Sequence, residues 1–191
     1  MKFVLTYKGD LPAKSRGISS VKHSIRKQVH PQLKNLWERV PLNSSRAKLV
    51  DRHDGNPNEI QLSKNVGNFR FVPLVSSRPG WDLVARLDIL FLRPSAPGDL
   101  IRNGGDLDNR IKLLIDSLRL PSLQELPDCE EPSSSESPFF VLLEDDALVV
   151  QFSVETETLL HSNDATSSSH VELIIRVDIT PRTATWENIG I

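Results

Sequence analysis

The chain has 191 residues, 38% of them apolar and 25% charged, with 13 prolines and a formal net charge of -2. That is the length of one domain with a sizeable core and much irregular chain. One cysteine, Cys129, excludes an intramolecular disulfide framework and a cysteine-built zinc cluster, and no stretch approaches the length of a membrane-spanning helix.

Phe3, Leu5 and Tyr7 alternate with Lys2, Val4, Thr6 and Lys8, which predicts a first strand at a sheet edge. Gly9-Asp10-Leu11-Pro12 turns the chain into a basic loop over residues 13–18. Ser19 or Ser20 is placed to cap a helix starting near Val21. Pro31 interrupts that helix and opens a second amphipathic segment to Val40, with Leu33, Leu36, Trp37 and Val40 at helical spacing. Residues 41–68 are weakly patterned, with a strong turn signal at Asp54-Gly55-Asn56-Pro57. Asn68–Val75 supplies a strand in which Pro73 argues for an edge or an early end. Leu83–Leu92 is a strand with Leu83, Ala85, Leu87, Ile89 and Phe91 on one face.

Asn109–Leu118 reads as a helix capped by Asp108, with Ile111, Leu114, Ile115 and Leu118 as its apolar face. Residues 121–138 hold four prolines and five acids and no basic residue, the composition of an exposed, flexible insertion. Phe139–Leu143 and Ala147–Val154 flank Glu144-Asp145-Asp146 as a hairpin or as one bulged strand. Val171–Ile179 alternates as a last strand, and Trp186 is expected to pack back onto the domain. The simplest architecture is α+β: a mixed β-sheet with helices on one face, residues 1–191 forming a single domain with 121–138 inserted in it. Met1–Asp10 lacks the apolar core of a secretory leader, so a cytoplasmic location is expected, with no membrane partner.

The chemistry-bearing stretch is Gly105-Asp106-Leu107-Asp108-Asn109-Arg110-Ile111-Lys112. Two aspartates two apart at a helix entrance repel one another unless protons or a cation offset the charge, and Mg²⁺ is the natural counter-ion for hard carboxylates. Taken alone, the pair also suits a helix cap and a solvated turn. Lys112 lies four residues after Asp108 and four before Asp116, on one flank of the helix. That is either a surface ion-pair ladder, or a lysine beside a phosphoryl group that Asp116 orients. Glu144-Asp145-Asp146 is a second acidic group that a turn would satisfy, or one that converges on the first to hold one or two Mg²⁺ ions. His23, His30, His53, His161 and His170 lack metal-ligand spacing, Gly104-Gly105 is no nucleotide loop, and acidic neighbours argue against a nucleophilic Cys129.

Asp106-Leu107-Asp108-Asn109-Arg110-Ile111-Lys112, Ile115-Asp116-Ser117-Leu118 and Leu143-Glu144-Asp145-Asp146-Ala147-Leu148-Val149-Val150, in this order, resemble the RusA-like Holliday junction resolvases. The match spans roughly residues 83–179. The resemblance implies a RusA-like mixed sheet and a Mg²⁺-dependent endodeoxyribonuclease, with Mn²⁺ as a substitute ion. It also implies a homodimer that nicks opposing strands of four-way DNA, and so an association with the nucleoid. Asp106, Asp108 and Asp146 would carry the metal, and Lys112 would be the basic residue near the scissile phosphate. Asn109, Asp116 and Asp145 would support the site. The enlarged N-terminal half and the acidic insertion depart from the compact family pattern. They leave open a catalytically inactive or repurposed nucleic-acid-binding relative, or a nuclease for another branched DNA or RNA.

A branched duplex also needs positive surface. Residues 1–50 hold eleven Lys or Arg against two acids, and residues 51–191 hold twelve against twenty-three. Lys14, Arg16, Lys22, Arg26 and Lys27 are the candidate phosphate contacts, with Lys34, Arg39, Arg46 and Lys48 extending them and Arg110 beside the acidic helix. The alternative is that these cations answer the acids of their own fold.

Overall fold

Alternation at the N-terminus produces a strand, β1 (Lys2–Asp10), with Leu5 and Tyr7 buried and their neighbours facing out. The computed structural model describes residues 1–13, 18–51, 60–94, 106–127, 130–160 and 169–191, with backbone only at Asp51 and Asp106. Lys14, Arg16, the turn at 54–57, Gly104-Gly105, Cys129, His53 and His161 lie outside the described residues.

After β1 come α1 (Ile18–Trp37) and α2 (Leu42–Arg46), which runs into a π-helical turn, Ala47–Asp51. Then follow β2 (Lys64–Val66), β3 (Phe69–Val75), β4 (Leu83–Arg93) and α3 (Asp106–Leu118). β5 (Phe139–Leu143), β6 (Val149–Thr158) and β7 (His170–Pro181) complete the chain. The fold is α+β, as the pattern of elements suggests, but its described strands form two sheets. The larger has strand order β1-β7-β4-β6, antiparallel except for the β4–β6 pair. The smaller has order β2-β3-β5, with β3 and β5 parallel.

The main core joins Leu87, Ile89 and Phe91 of β4 and Leu173, Ile175 and Val177 of β7 to Leu33 and Trp37 of α1 and Leu114 of α3. Leu74, Phe140 and Leu142 of the small sheet close it, while Phe71, Phe139 and Val141 pack with Leu120 on the other side. The small sheet is therefore buried on both faces, which explains the unbroken apolar run of β5.

Several expectations are corrected. α1 is one continuous helix with Pro31 inside it, and Ser19 and Ser20 lie within its first turn instead of before it. Burial of Ile25, Val29, Leu33 and Trp37 along one stripe offsets the amide that proline lacks. Val40 lies beyond the helix and is exposed. Pro73 sits in the middle strand of the small sheet, yet β2 pairs only with Phe69–Phe71, so among the described residues one side of β3 has no paired strand at Pro73. β5 and β6 are neither a hairpin nor one bulged strand, because they belong to different sheets. Trp186 does not pack back and is 89% exposed.

The described part of the acidic segment is built as two 3-10 turns, Leu123–Glu125 and Ser134–Glu136, each closed by a Ser/Glu capping box. It lies against α1, with Glu125 paired to Lys22 and Arg26, and Glu130 and Glu136 paired to Lys27. His30 joins the same contact: its Nδ1 accepts from the Phe140 amide, and its Nε2 lies 3.0 Å from the Ser135 carbonyl. Two edges of the large sheet differ. Gln32 bridges the Thr6 amide and carbonyl and Gln28 does the same for Lys8, so α1 side chains occupy part of the β1 edge. β6 has no strand on its outer side among the described residues.

Candidate active site

α3 starts at Asp106, so Asp106 and Asp108 stand in its first turn and Asp108 is not the cap. Acids in that turn still suit the positive end of the helix dipole. α3 lies in the crossover from β4 to the parallel strand β6, and its Ile111 and Leu114 anchor it on the core. The polar flank of the helix is thereby aimed at the start of β6.

Between them is a cleft of about 670 Å³ lined by Asp108, Lys112 and Asp116 of α3 and by Asp146 just before β6. Ile111, Ile115, Val149, Phe152 and Val154 form its apolar floor. A bulge makes that floor. Ala85 faces Val149 but Arg86 faces Gln151, so β6 has one extra residue, Val150. Val149, Phe152 and Val154 consequently share the side of Ala85, Leu87 and Ile89 in spite of their uneven spacing.

The side chains of Asp108, Lys112 and Asp146 are exposed and have no hydrogen bond or ion pair among the described residues. Asp108 and Lys112 come from one turn of helix, whereas Asp146 reaches the cleft only because β6 pairs in parallel beside β4. Asn109 is exposed on the same first turn. No group of three His, Cys, Asp or Glu side chains close enough to hold a metal occurs among the described residues.

The three adjacent acids before β6 have separate roles. Glu144 is taken by Lys64, by the Ser76 hydroxyl and by the Ser77 amide at 3.2 Å. Burial pushes its carboxyl up, but these donors together hold it below the ordinary carboxylate range. Asp145 caps the turn Asp146–Leu148 by accepting from the Ala147 amide at 2.9 Å. Asp146 alone lines the cleft. Period-two reading cannot separate these three, because the choice is made by which chain lies beside each one.

Asp116 does not hold Lys112. Its Oδ2 is 2.9 Å from Lys22 Nζ and its Oδ1 is 3.8 Å from Arg119 Nε. Lys22 and Arg26, expected on a nucleic-acid face, are buried between α1, α3 and the acidic segment. Arg110, expected beside phosphate, is buried and donates to the Leu11 carbonyl. Lys27 is half-exposed but paired with Glu130. Desolvating a cation is costly unless an acid or carbonyl meets it, and the acidic segment supplies those groups to α1. The charge asymmetry of the sequence is thus largely answered inside the fold. Lys34 likewise donates to the Ser135 carbonyl at 3.0 Å.

No protein-family model, curated protein or solved structure matches the chain. Among the described residues no helix is long and apolar enough to cross a membrane.

Proposed function

We propose that this protein is a divalent-cation-dependent endonuclease that hydrolyses branched DNA, with four-way junctions as its first substrate and a second copy of the chain as its working partner. The observation that carries the reading is the shared cleft: Asp108, Lys112 and Asp146, from two separate stretches of chain, line it without partners among the described residues. The resemblance of those stretches, in their order, to the RusA-like resolvases supports the same reading.

Two exposed carboxylates whose side chains make no ion pair among the described residues suit Mg²⁺, which takes few protein oxygens and retains water. Asp108 and Asp146 would hold the ion, with Asp106 the third proposed ligand, and Mn²⁺ would be accepted by the same donors. Bound there, the ion supplies charge neutralisation at the phosphoryl group and lowers the pKa of a water. Lys112 contributes a mobile ammonium that donates to a non-bridging phosphate oxygen and stabilises the charge that grows there during displacement. Asp145 keeps Asp146 at the cleft by capping the turn that carries it. Lys14 and Arg16 remain proposed phosphate contacts, whereas Lys22, Arg26 and Arg110 are occupied within the fold.

Labelled four-way DNA incubated with purified protein in Mg²⁺ and in chelator tests this. Cleavage is expected only with metal. Asp108→Asn, Asp146→Asn and Lys112→Ala are each expected to slow it by about 10²–10³-fold, with the melting temperature within about 2 °C of the parent because these side chains are exposed. Full activity in all three variants rejects the assignment, and cleavage of flaps or RNA in place of junctions redirects the substrate.

A further inference from the structure

Asp108, Lys112 and Asp116 stand at i, i+4 and i+8 on α3, so on an isolated helix Lys112 would be shared between two carboxylates. In the fold one of the two is occupied. The Asp116 carboxylate meets Lys22 Nζ at 2.9 Å, and the Asp116 carbonyl accepts from Arg26 Nη2 at 2.9 Å. The side chains of Lys22 and Asp116 are 10% and 17% exposed, so solvent screens their pairing little. Glu125 holds Lys22 from the other side at 2.6 Å and is itself met by Arg119 Nη2 at 3.3 Å and Arg26 Nη2 at 3.5 Å. Arg119 is committed to Glu125 and to the Leu120 carbonyl, and stands 3.8 Å from Asp116, so Lys22 is the nearer cation to Asp116.

We infer that Lys22 is a positioning residue: by holding Asp116 it prevents the Lys112–Asp116 ion pair, so that Asp108 is left as the one helix carboxylate competing for the Lys112 ammonium and that ammonium is more available to an anion in the cleft. Lys22 does not line the cleft, and its effect passes entirely through Asp116. The acidic segment takes part, because Glu125 supplies the second carboxylate that keeps the buried ammonium of Lys22 in place. The functional consequence rests on the role proposed above for Lys112, but the electrostatic arrangement is measurable without it.

The test is competitive acylation of the intact protein with a trace amine reagent, reading Lys112 by mass spectrometry against the other exposed lysines. In Lys22→Met, Asp116 loses its nearer cation and Lys112 is expected to react two- to fivefold more slowly, the range of an exposed ion pair. Lys22→Arg retains the pairing and is expected to react like the parent. Adding Asp116→Asn to Lys22→Met is expected to restore the parent rate, which a merely structural loss at position 22 would not allow. An unchanged Lys112 rate in folded Lys22→Met overturns the inference. Asp116→Asn alone decides it if Lys22→Met does not fold: a Lys112 rate like the parent supports the inference, and a faster one overturns it by showing that Asp116 was already the partner of Lys112. Metal-dependent cleavage of four-way DNA is measured on the same proteins. Absence of cleavage in the parent rejects the nuclease reading while the acylation result still decides the role of Lys22.

Discussion

Glu144 shows how one side chain links the two ends of the small sheet. It follows β5 directly, and its carboxylate joins Lys64 of β2 to Ser76, just after β3. Because the native carboxyl is held below its ordinary range, Glu144 contributes stability above about pH 4.5, and that contribution is lost as pH falls through the lowered native value. Glu144→Gln removes the ion pair and is expected to cost about 1 kcal/mol at neutral pH, a fall of about 2–4 °C in melting temperature. The gap between parent and variant should close on acidification below about pH 4.5. A gap that stays constant in thermal melts down to acid would show that the charge of Glu144 is not what holds the strands. Sequence alone places Glu144 with Asp145 and Asp146 as one acidic group, since local order carries no information about Lys64 and Ser76.

Among the elements, α1 does more than its apolar stripe suggests. One face packs on the core, a second receives the acidic segment, and a third lays Gln28 and Gln32 along the edge of β1. Each glutamine presents an oxygen and an amide one helical turn apart, matching the amide and carbonyl of alternate residues on the strand. Gln28→Ala with Gln32→Ala should lower stability by about 1–2 kcal/mol and leave Thr6 and Lys8 open for strand pairing with another molecule. Thermal melts and light scattering would read both effects, and an unchanged melting temperature would assign these contacts no weight. The helix itself is legible from its spacing, but the break expected at Pro31 is not found. Propensity describes an isolated segment, and burial along the whole stripe outweighs one missing amide.

For the whole molecule, acid should act in two stages. Burial lowers the pKa of both His23 and His30 below the ordinary 6.5, with Glu130 and the Ser135 carbonyl respectively opposing that shift in part. A lowered native pKa means that the unfolded chain takes protons first, so stability is full above about pH 6.5 and declines as pH falls below it. A second decline follows below about pH 4.5, where Glu125, Glu136 and Glu144 lose charges that the fold favours. Melting temperature against pH should show both stages, and His30→Gln should weaken the first. A flat profile between pH 7 and 5 would contradict the buried, neutral imidazoles. Glu125, Glu136 and the two histidines tie the segment before β5 to α1, so its detachment is the expected structural event.

Alternation and helical spacing by themselves determined β1, β4, β7 and α3, because a strand or helix with one buried face must repeat apolar residues at its own period. The resemblance of two motifs to the RusA-like resolvases, and not periodicity, drew attention to Asp108, Lys112 and Asp146, which line one cleft in the fold. Only the tertiary structure decided that β5 and β6 part into two sheets and that a bulge at Val150 turns Val149 and Phe152 to one side. It alone assigned Lys22, Arg26 and Arg110 to internal acids and carbonyls. Which charge meets which depends on contacts between residues far apart in the chain, and a one-dimensional pattern does not contain those distances.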